Sequence, residues 1–334
     1  VGVEAETARR AAELAKADLQ SRLVNEFPEL QGIAGRYYAQ HAGETEDVAA
    51  AIDEAYMPRF AGDAIAPSAL GRVLAVAERL DTLAGGFAAG LKPSGNKDPF
   101  ALRRNALGLA RTLIEGELEL PLRVLIRDAF AAPALHAASG IPDSAVGTEP
   151  DANERLYETV GSDLVEFVLD RLRSYYADTG VTALQFEAVA SVAPATLPDF
   201  DRRLKAVQVF ARLPEAEALA AANKRIRNIL KKAGEANEAI PDKVNNTGLV
   251  ETAELALAGA LAKAEKDTEA AIAERDYVAV LKRLAQLRAP VDEFFDKVMV
   301  MSDDLALRRN RLALLRRLSD RFLAVADVGQ LAAA

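Results

Sequence analysis

The sequence predicts an all-α fold built as several helical bundles, and three observations carry that prediction. Half of the residues are apolar but only 6% are aromatic, so the core must be built mainly from Ala, Leu and Val. Small side chains of this kind favour closely packed helices over a β-sandwich, which draws on β-branched and aromatic residues. Apolar residues recur at steps of three and four, and no stretch shows the sustained alternation of a strand. At 334 residues the chain exceeds one small core, and at about 150 residues per domain it should hold two or three units.

The elements follow in order. From Glu4 to Arg22 the chain is Ala-rich and helix-permissive, and Pro28, Gly32 and Gly35 then punctuate Phe27 to Tyr38. Ala42-Gly43-Glu44 reads as a loop. Thr45 offers a cap oxygen to a second helix whose first turn is acidic, and that helix should stop before Pro58. Ser68 caps a third, in which Val73, Leu74, Ala77 and Leu80 share a face. The glycines of Gly85 to Asp98 predict a loop carrying Lys92 and Lys97. Asp98 as N-cap and Pro99 in the first turn open the next helix, through Leu102, Leu109, Leu113 and Ile114 to about Gly116.

Ala131 to Asp151, rich in Ala, Gly, Pro and Ser, is a first boundary, and Pro194, Pro198 and Asp199 mark a second. Between them a helix spans Glu154 to Ala177. Beyond them helices are expected at Asp201–Leu213, Pro214–Lys232, Leu249–Arg275, Tyr277–Leu287 and Asp304–Ala326. The division expected is therefore 1–130, a helical linker region 131–200, and 201–334.

No apolar run approaches the length of a bilayer span and no signal pattern opens the chain, which points to the cytoplasm and away from membranes. Absence of Cys excludes disulfides, thiolate zinc sites and cysteine nucleophiles. A first residue of Val reads as a fragment or processed product lacking an N-terminal region. The net charge of −9 argues against a general nucleic-acid coat. A specific RNA binder whose cations are gathered locally remains compatible with it.

The chemistry of hydrolysis finds little support. His41 and His136 are the two histidines; neither precedes Asp, and neither has a partner at metal-ligand spacing. Gly90 and Gly95 stand at phosphate-loop spacing, but Asn96 occupies the lysine position and no buried strand precedes it. What survives is Lys92 and Lys97 on the loop, leading to Arg103 and Arg104 in the next helix. That cluster suits an RNA backbone and equally suits a solvated charged loop.

From about Arg203 to Leu331 the reading is an amphipathic bundle with arginine-rich outer faces. In its last helix Leu312, Leu315, Leu318, Phe322 and Val325 form one buried stripe. At about 100° per residue Arg309, Arg316 and Arg317 project from the opposite side. Arg311 falls on the apolar side, which predicts burial and a carboxylate partner such as Asp303 or Asp304. A second basic group, Asn223-Lys224-Arg225-Ile226-Arg227-Asn228, continues to Lys243 with a local net charge of +3, and Asn245 and Asn246 add amides. Cations for phosphate, amides for base edges and flat groups for stacking are what single-stranded RNA recognition uses. A basic helix alone is more often a solvated face. Phe294 and Phe295, after the break at Pro290, are assigned mainly to the core.

Several runs carry a family resemblance. Glu54-Ala55-Tyr56-Met57-Pro58-Arg59-Phe60-Ala61-Gly62-Asp63, Arg79-Leu80-Asp81-Thr82-Leu83 and Lys97-Asp98-Pro99-Phe100-Ala101-Leu102-Arg103-Arg104 resemble the β subunit of the bacterial heterotetrameric glycyl-tRNA synthetases. So do Ala221-Ala222-Asn223-Lys224-Arg225, Phe294-Phe295-Asp296-Lys297-Val298-Met299-Val300-Met301 and Leu307-Arg308-Arg309-Asn310-Arg311-Leu312. The resemblance runs through nearly the whole chain in order. It implies an HD-like helical domain over 1–130 and a DALR-type anticodon-binding domain over 201–334, with Asp304-Leu305-Ala306-Leu307-Arg308 close to the naming motif.

The resemblance also implies a subunit that binds tRNA-Gly while the α subunit of an α2β2 assembly carries the active site that uses glycine, ATP and Mg. No cofactor is then expected in this chain. Hydrolytic HD proteins need a His-Asp pair, of which Asp81 is at best one surviving carboxylate, so the HD-like domain should be non-catalytic and metal-free. The tRNA-binding set expected is Lys92, Lys97, Arg103, Arg104, Asn223, Lys224, Arg225, Arg227, Asn228, Arg309, Arg316 and Arg317. The rival readings are an HD-type metal-dependent phosphohydrolase and a helical scaffold with no RNA role.

Overall fold

The computed structural model describes residues 2–95, 97–131 and 157–332. Asn96, His136, the start of the helix expected from Glu154 and most of the first boundary stretch lie outside them. The protein is all-α. Among the described residues there is no strand, only isolated antiparallel bridges between Ser94 and Lys97 and between Pro121 and Thr196.

The chain forms two compact units, residues 1–178 with 195–198, and residues 179–194 with 199–334. The described part of the stretch 131–200 contributes to both. The first unit holds α1 (Ala5–Leu14), α2 (Arg22–Glu26), α3 (Ile33–His41), α4 (Glu46–Glu54), α5 (Ala69–Ala88), α6 (Leu102–Glu115), α7 (Leu122–Phe130) and α8 (Ser162–Asp178). Helix α4 packs on α1, α3 and α5, and α6 packs on α5 and α8. The core shared by α1, α3, α4 and α5 is small and aliphatic, with Ala11, Val48, Ala49, Ile52 and Leu74 all buried.

The helix expected from Glu4 to Arg22 is broken. Lys16 takes a left-handed φ of 64°, and a 3-10 turn at Ala17–Gln20 separates α1 from α2. That turn seats Asp18, a buried carboxylate accepting from the Gly32 and Gly35 amides at 2.7 and 3.1 Å, so it pins the start of α3.

The glycine loop is also shorter than its composition suggests. Gly85 and Gly86 are helical, the last turn of α5. A Cβ on Gly86 would stand 3.0 Å from the methyls of Leu102, so the missing side chain permits close approach of α5 and α6. Asp98 caps α6, but from outside. The helix begins at Leu102 after Ala101 in the left-handed region, and the Asp98 carboxylate accepts from the Leu102 and Arg103 amides at 2.8 and 2.9 Å. Asp98→Ala should remove both bonds and about 1 kcal/mol of stability, seen as a melting point lower by about 2–4 °C; an unchanged melting curve would refute the cap.

Between α4 and α5 the segment 55–67 has no regular structure, and arginines satisfy its carbonyls. Arg79 donates to Ala55, Tyr56 and Pro58, Arg111 to Ala61 and Asp63, and Arg72 to Ala66 and Pro67. Backbone acceptors buried in a loop need such donors, because leaving them unpaired costs as much as a lost hydrogen bond.

The second unit holds α9 (Ala183–Ala190), α10 (Leu197–Phe210, its first two residues counted with the first unit), α11 (Ala216–Glu235), α12 (Thr252–Ala273), α13 (Tyr277–Ala285), α14 (Arg288–Lys297) and α15 (Leu305–Leu323). Pro290 sits in the first turn of α14, where the missing amide needs no partner. Helix α12 packs on α13, α14 and α15, and α11 packs on α14, α15 and the 3-10 turn Val328–Leu331. Asp304 accepts from the Ala306 and Leu307 amides and caps α15. A polar knot ties α10 to α13 and to the end of α15: Asp199 accepts from the Tyr277 hydroxyl at 2.7 Å, and Arg203 donates to the Ala324 and Val325 carbonyls at 2.8 Å each.

Candidate nucleic-acid interface

Helix α11 is cleanly two-faced. Leu219, Ala220, Ala222, Ile226 and Ala233 are buried, while Lys224, Arg225, Arg227, Asn228, Lys231 and Lys232 are exposed. One expected amide drops out. Asn223 is buried and its Nδ2 donates to the Leu219 carbonyl at 2.9 Å, one turn back on its own helix, so it is not presented to a ligand. The helical wheel explains this: Asn223 lies one turn after Leu219 and one before Ile226, inside the apolar stripe.

Two of the cations of α11, Arg225 and Arg227, are held in place. The Arg225 guanidinium lies 4.3 Å from the centroid of the Phe295 ring, which is half-buried, while Phe294 is fully inside the core. Phe295 is thus a stacking surface beneath a cation, which the assignment of both rings to the core did not anticipate. Arg227 is paired with Asp327, a buried carboxylate that also accepts from Gln330 Nε2 at 2.9 Å.

Helix α15 behaves differently from its wheel. Arg309 is exposed, as expected. Arg316 and Arg317 are half-buried and engaged: Arg316 donates to the Ile240 and Pro241 carbonyls and to Asp242, and Arg317 pairs with Glu265 of α12, with 2.8 Å between Nε and Oε1. The Glu265 hydrogen bond holds the Arg317 pKa above its ordinary value. The reason is that α15 is buried on more than one side. Ala313, Leu314 and Ser319 are as covered as the predicted stripe, leaving little outer face. The outward placement of Arg316 and Arg317 is corrected accordingly.

Arg311 is buried and paired with a carboxylate, as its phase on the wheel requires, but the partner is Glu254 of α12 rather than Asp303 or Asp304. Asn310 is buried too. Its amide accepts from the Asn245 N–H at 2.8 Å and donates to the Asn245 carbonyl at 2.9 Å, while the Asn245 side chain caps Thr247. Asn245 is therefore consumed by the loop it stabilises.

In the first unit, Lys92 is paired with Asp163 and lies 5.5 Å over the Phe87 ring. Lys97 is exposed beside the tight Ser94–Lys97 turn, and Arg103 donates to the Gly95 carbonyl at 2.7 Å. Arg104 is exposed. Arg103 and Arg104 line a cleft of about 360 Å³ with Phe60, Arg171 and Tyr175, which sequence spacing could not bring together. Among the described residues no group of three or more His, Cys, Asp or Glu could hold a metal ion. No described helix is long and apolar enough to cross a membrane.

Comparison with known proteins matches this chain in two parts. Residues 2–191 match the family model described as glycyl-tRNA synthetase beta subunit, and residues 219–323 match that of the DALR anticodon binding domain. The second match runs from α11 through α15. Among similar proteins, the glycine–tRNA ligase beta subunit of Xanthomonas campestris pv. campestris (strain B100) is 61% identical over 332 residues, covering 99% of this chain and 45% of that protein. The beta subunit of Xylella fastidiosa (strain 9a5c) is 52% identical over 344 residues, covering 99% and 47%. That of Pseudomonas aeruginosa (strain LESB58) is 47% identical over 331 residues, covering 99% and 45%. The chain spans about half the length of the curated relatives it matches. With the beta-subunit model matching more than half of its residues in one continuous span, this chain belongs to the glycyl-tRNA synthetase beta subunit family.

Proposed function

We propose that the chain is the tRNA-binding portion of a glycine–tRNA ligase beta subunit, positioning tRNA-Gly for ATP-dependent glycylation at the active site of an α subunit. The observation that carries the reading is the exposed basic face of α11, which lies within the residues matching an anticodon-binding domain. Lys224, Arg225, Arg227 and Asn228 on α11 and Arg309 on α15 are its contact residues; Arg316 and Arg317 mainly brace the bundle. The cluster of Lys92, Lys97, Arg103 and Arg104 in the first unit contacts the tRNA elsewhere or faces another subunit.

In this reading the chain performs no chemistry. ATP and Mg are handled by the α subunit of an α2β2 assembly in the cytoplasm, and the HD-like domain over 1–130 is non-catalytic. Binding energy spent far from the reacting atoms still supports catalysis, because docking the anticodon arm orients the acceptor end.

Titrating tRNA-Gly against the chain across a salt series tests this. Lys224→Ala, Arg225→Ala and Arg309→Ala should each lower affinity and reduce the salt slope by about one unit, the signature of one lost phosphate contact. Unchanged slopes in all three variants would overturn the assignment of this face. Failure of the unaltered chain to shift tRNA at low salt would favour a helical scaffold instead.

A further inference from the structure

The cleft of about 360 Å³ in the first unit opens between the segment 55–67, α6 and α8. Pro58, Phe60 and Leu107 give it apolar walls, and Arg104, Arg171, Tyr175 and Asp178 give it polar groups. Its volume lies at the small end of the range for small-molecule sites, about 300–1,000 Å³. A single small ligand fits it better than a large one.

The cations of the cleft are of two kinds. Arg111 is structural: it donates to the Ala61 and Asp63 carbonyls at 2.9 and 2.8 Å and pairs with Glu115. Arg79 holds the Pro58 carbonyl at 3.2 Å, so the segment is fixed on both sides of Phe60, whose ring stays 64% exposed. Arg104 and Arg171 are uncommitted. Among the described residues neither makes a hydrogen bond or ion pair, and the Arg171 Nε is buried without an acceptor. Arg72 and Arg79 also have a bare Nε, but their terminal nitrogens are bonded to carbonyls. Arg171 has only the Phe167 ring, 5.8 Å from its guanidinium. A buried donor without an acceptor costs stability, and a bound anion would recover it. The Tyr175 hydroxyl and the Asp178 carboxylate are likewise without a hydrogen-bond partner among the described residues.

These groups discriminate among anions. Two guanidinia on two packed helices suit a phosphate monoester, whose three terminal oxygens accept charge-assisted hydrogen bonds from both. Inorganic phosphate would leave the Phe60 ring bare and would meet a repelling carboxylate in Asp178. A ligand that adds a flat ring and hydroxyl groups makes use of both. We propose that this cleft binds a free nucleoside 5′-monophosphate. Arg104, Arg171 and the Tyr175 hydroxyl donate to the phosphate, Phe60 stacks on the base, and Asp178 accepts from the ribose hydroxyls. The site shares Arg104 with the cluster assigned to tRNA or another subunit, while Phe60, Arg171, Tyr175 and Asp178 belong to it alone.

Calorimetric titration of the whole chain with AMP, adenosine and inorganic phosphate tests this. AMP should bind at least about tenfold more tightly than either fragment, since only AMP engages the arginines and the ring together. Arg104→Ala should weaken AMP and phosphate alike, by about tenfold or more. Phe60→Ala should weaken AMP by about tenfold and leave phosphate unchanged, because stacking is lost with no change of charge. Both side chains are exposed, and matching thermal melts confirm that the variants are folded. Equal affinities for AMP and phosphate would make the cleft an anion site only and overturn the proposal. So would AMP binding that Phe60→Ala does not alter. Absence of AMP binding overturns it as well; if Arg104→Ala still weakens tRNA-Gly, that arginine serves RNA and the tRNA reading stands.

Discussion

Glu254→Ala should destabilise the second unit by about 4 kcal/mol, the cost of leaving a buried guanidinium without its carboxylate. Glu254 is fully buried and Arg311 nearly so, and they face each other between α12 and α15. The same carboxylate accepts from the Val250 and Glu251 amides at 2.8 and 2.9 Å, closing the N-terminus of α12, so the substitution also removes a cap. Arg311 in turn donates to the Met299 carbonyl at 2.8 Å, and that bond loses its anchor when the guanidinium relaxes toward water. A loss of this size is a large share of the roughly 5–15 kcal/mol that holds a typical domain together.

Urea unfolding followed by helical circular dichroism reads the effect as a shift of the second unit's transition to lower denaturant. The paired variant Glu254→Leu with Arg311→Met should recover part of the stability, since replacing both charges removes the desolvation penalty along with the attraction, while the Val250 and Glu251 amides stay without their cap. Equal midpoints for Glu254→Ala and the unaltered chain would show that the pair is solvated.

Arg311 illustrates what the sequence made legible and what it hid. Its place on the apolar side of α15 follows from a 100° step, so burial and a carboxylate partner were readable from the chain alone. The partner is 57 residues away on another helix, and no local pattern specifies which acidic residue comes to it. The same divide runs through the candidate interface. The exposure of Lys224, Arg225 and Arg227 follows from the amphipathic period of α11. The fixation of Arg225 by Phe295 and of Arg227 by Asp327 depends on contacts formed only when the bundle closes.

A wheel with a single apolar stripe assumes a helix with one covered side, which holds for α11 but fails for α15, where Arg316 and Arg317 meet the 240–242 loop and α12. Gly85 and Gly86 read as loop because glycine is a poor helix former, yet close packing against Leu102 outweighs that preference. Helix α9 is absent from the expected helices although Thr182 and Gln185 form a capping box, visible as Thr-x-x-Gln ahead of an apolar run.

The other large effect concerns Arg79 in the first unit. Its guanidinium is buried against carbonyls alone, with Ala55 and Pro58 at 3.1 and 3.2 Å, Tyr56 at 3.2 Å and Ala75 at 3.0 Å. Burial pulls its pKa down to about 10, so it stays charged at neutral pH, where its positive end replaces the water those carbonyls lost. Arg79→Ala strands three loop acceptors at about 1–3 kcal/mol each, and partial relaxation should leave a net loss of about 3 kcal/mol or more. Arg79→Lys should fall between, because one ammonium cannot span the fork; a lysine variant as stable as the unaltered chain would refute this role. Gly108 makes the site possible. A Cβ there would stand 2.4 Å from Arg79 Nε, so Gly108→Ala should cost about 1–3 kcal/mol by overpacking. That cost depends on the guanidinium being present. In an Arg79→Ala background the added methyl meets empty space, and Gly108→Ala should become neutral or slightly stabilising, since alanine is the better helix former. Thermal melts of the two single variants and the double variant measure this coupling directly, and simple additivity would mean that Gly108 and Arg79 do not share the space assigned to them.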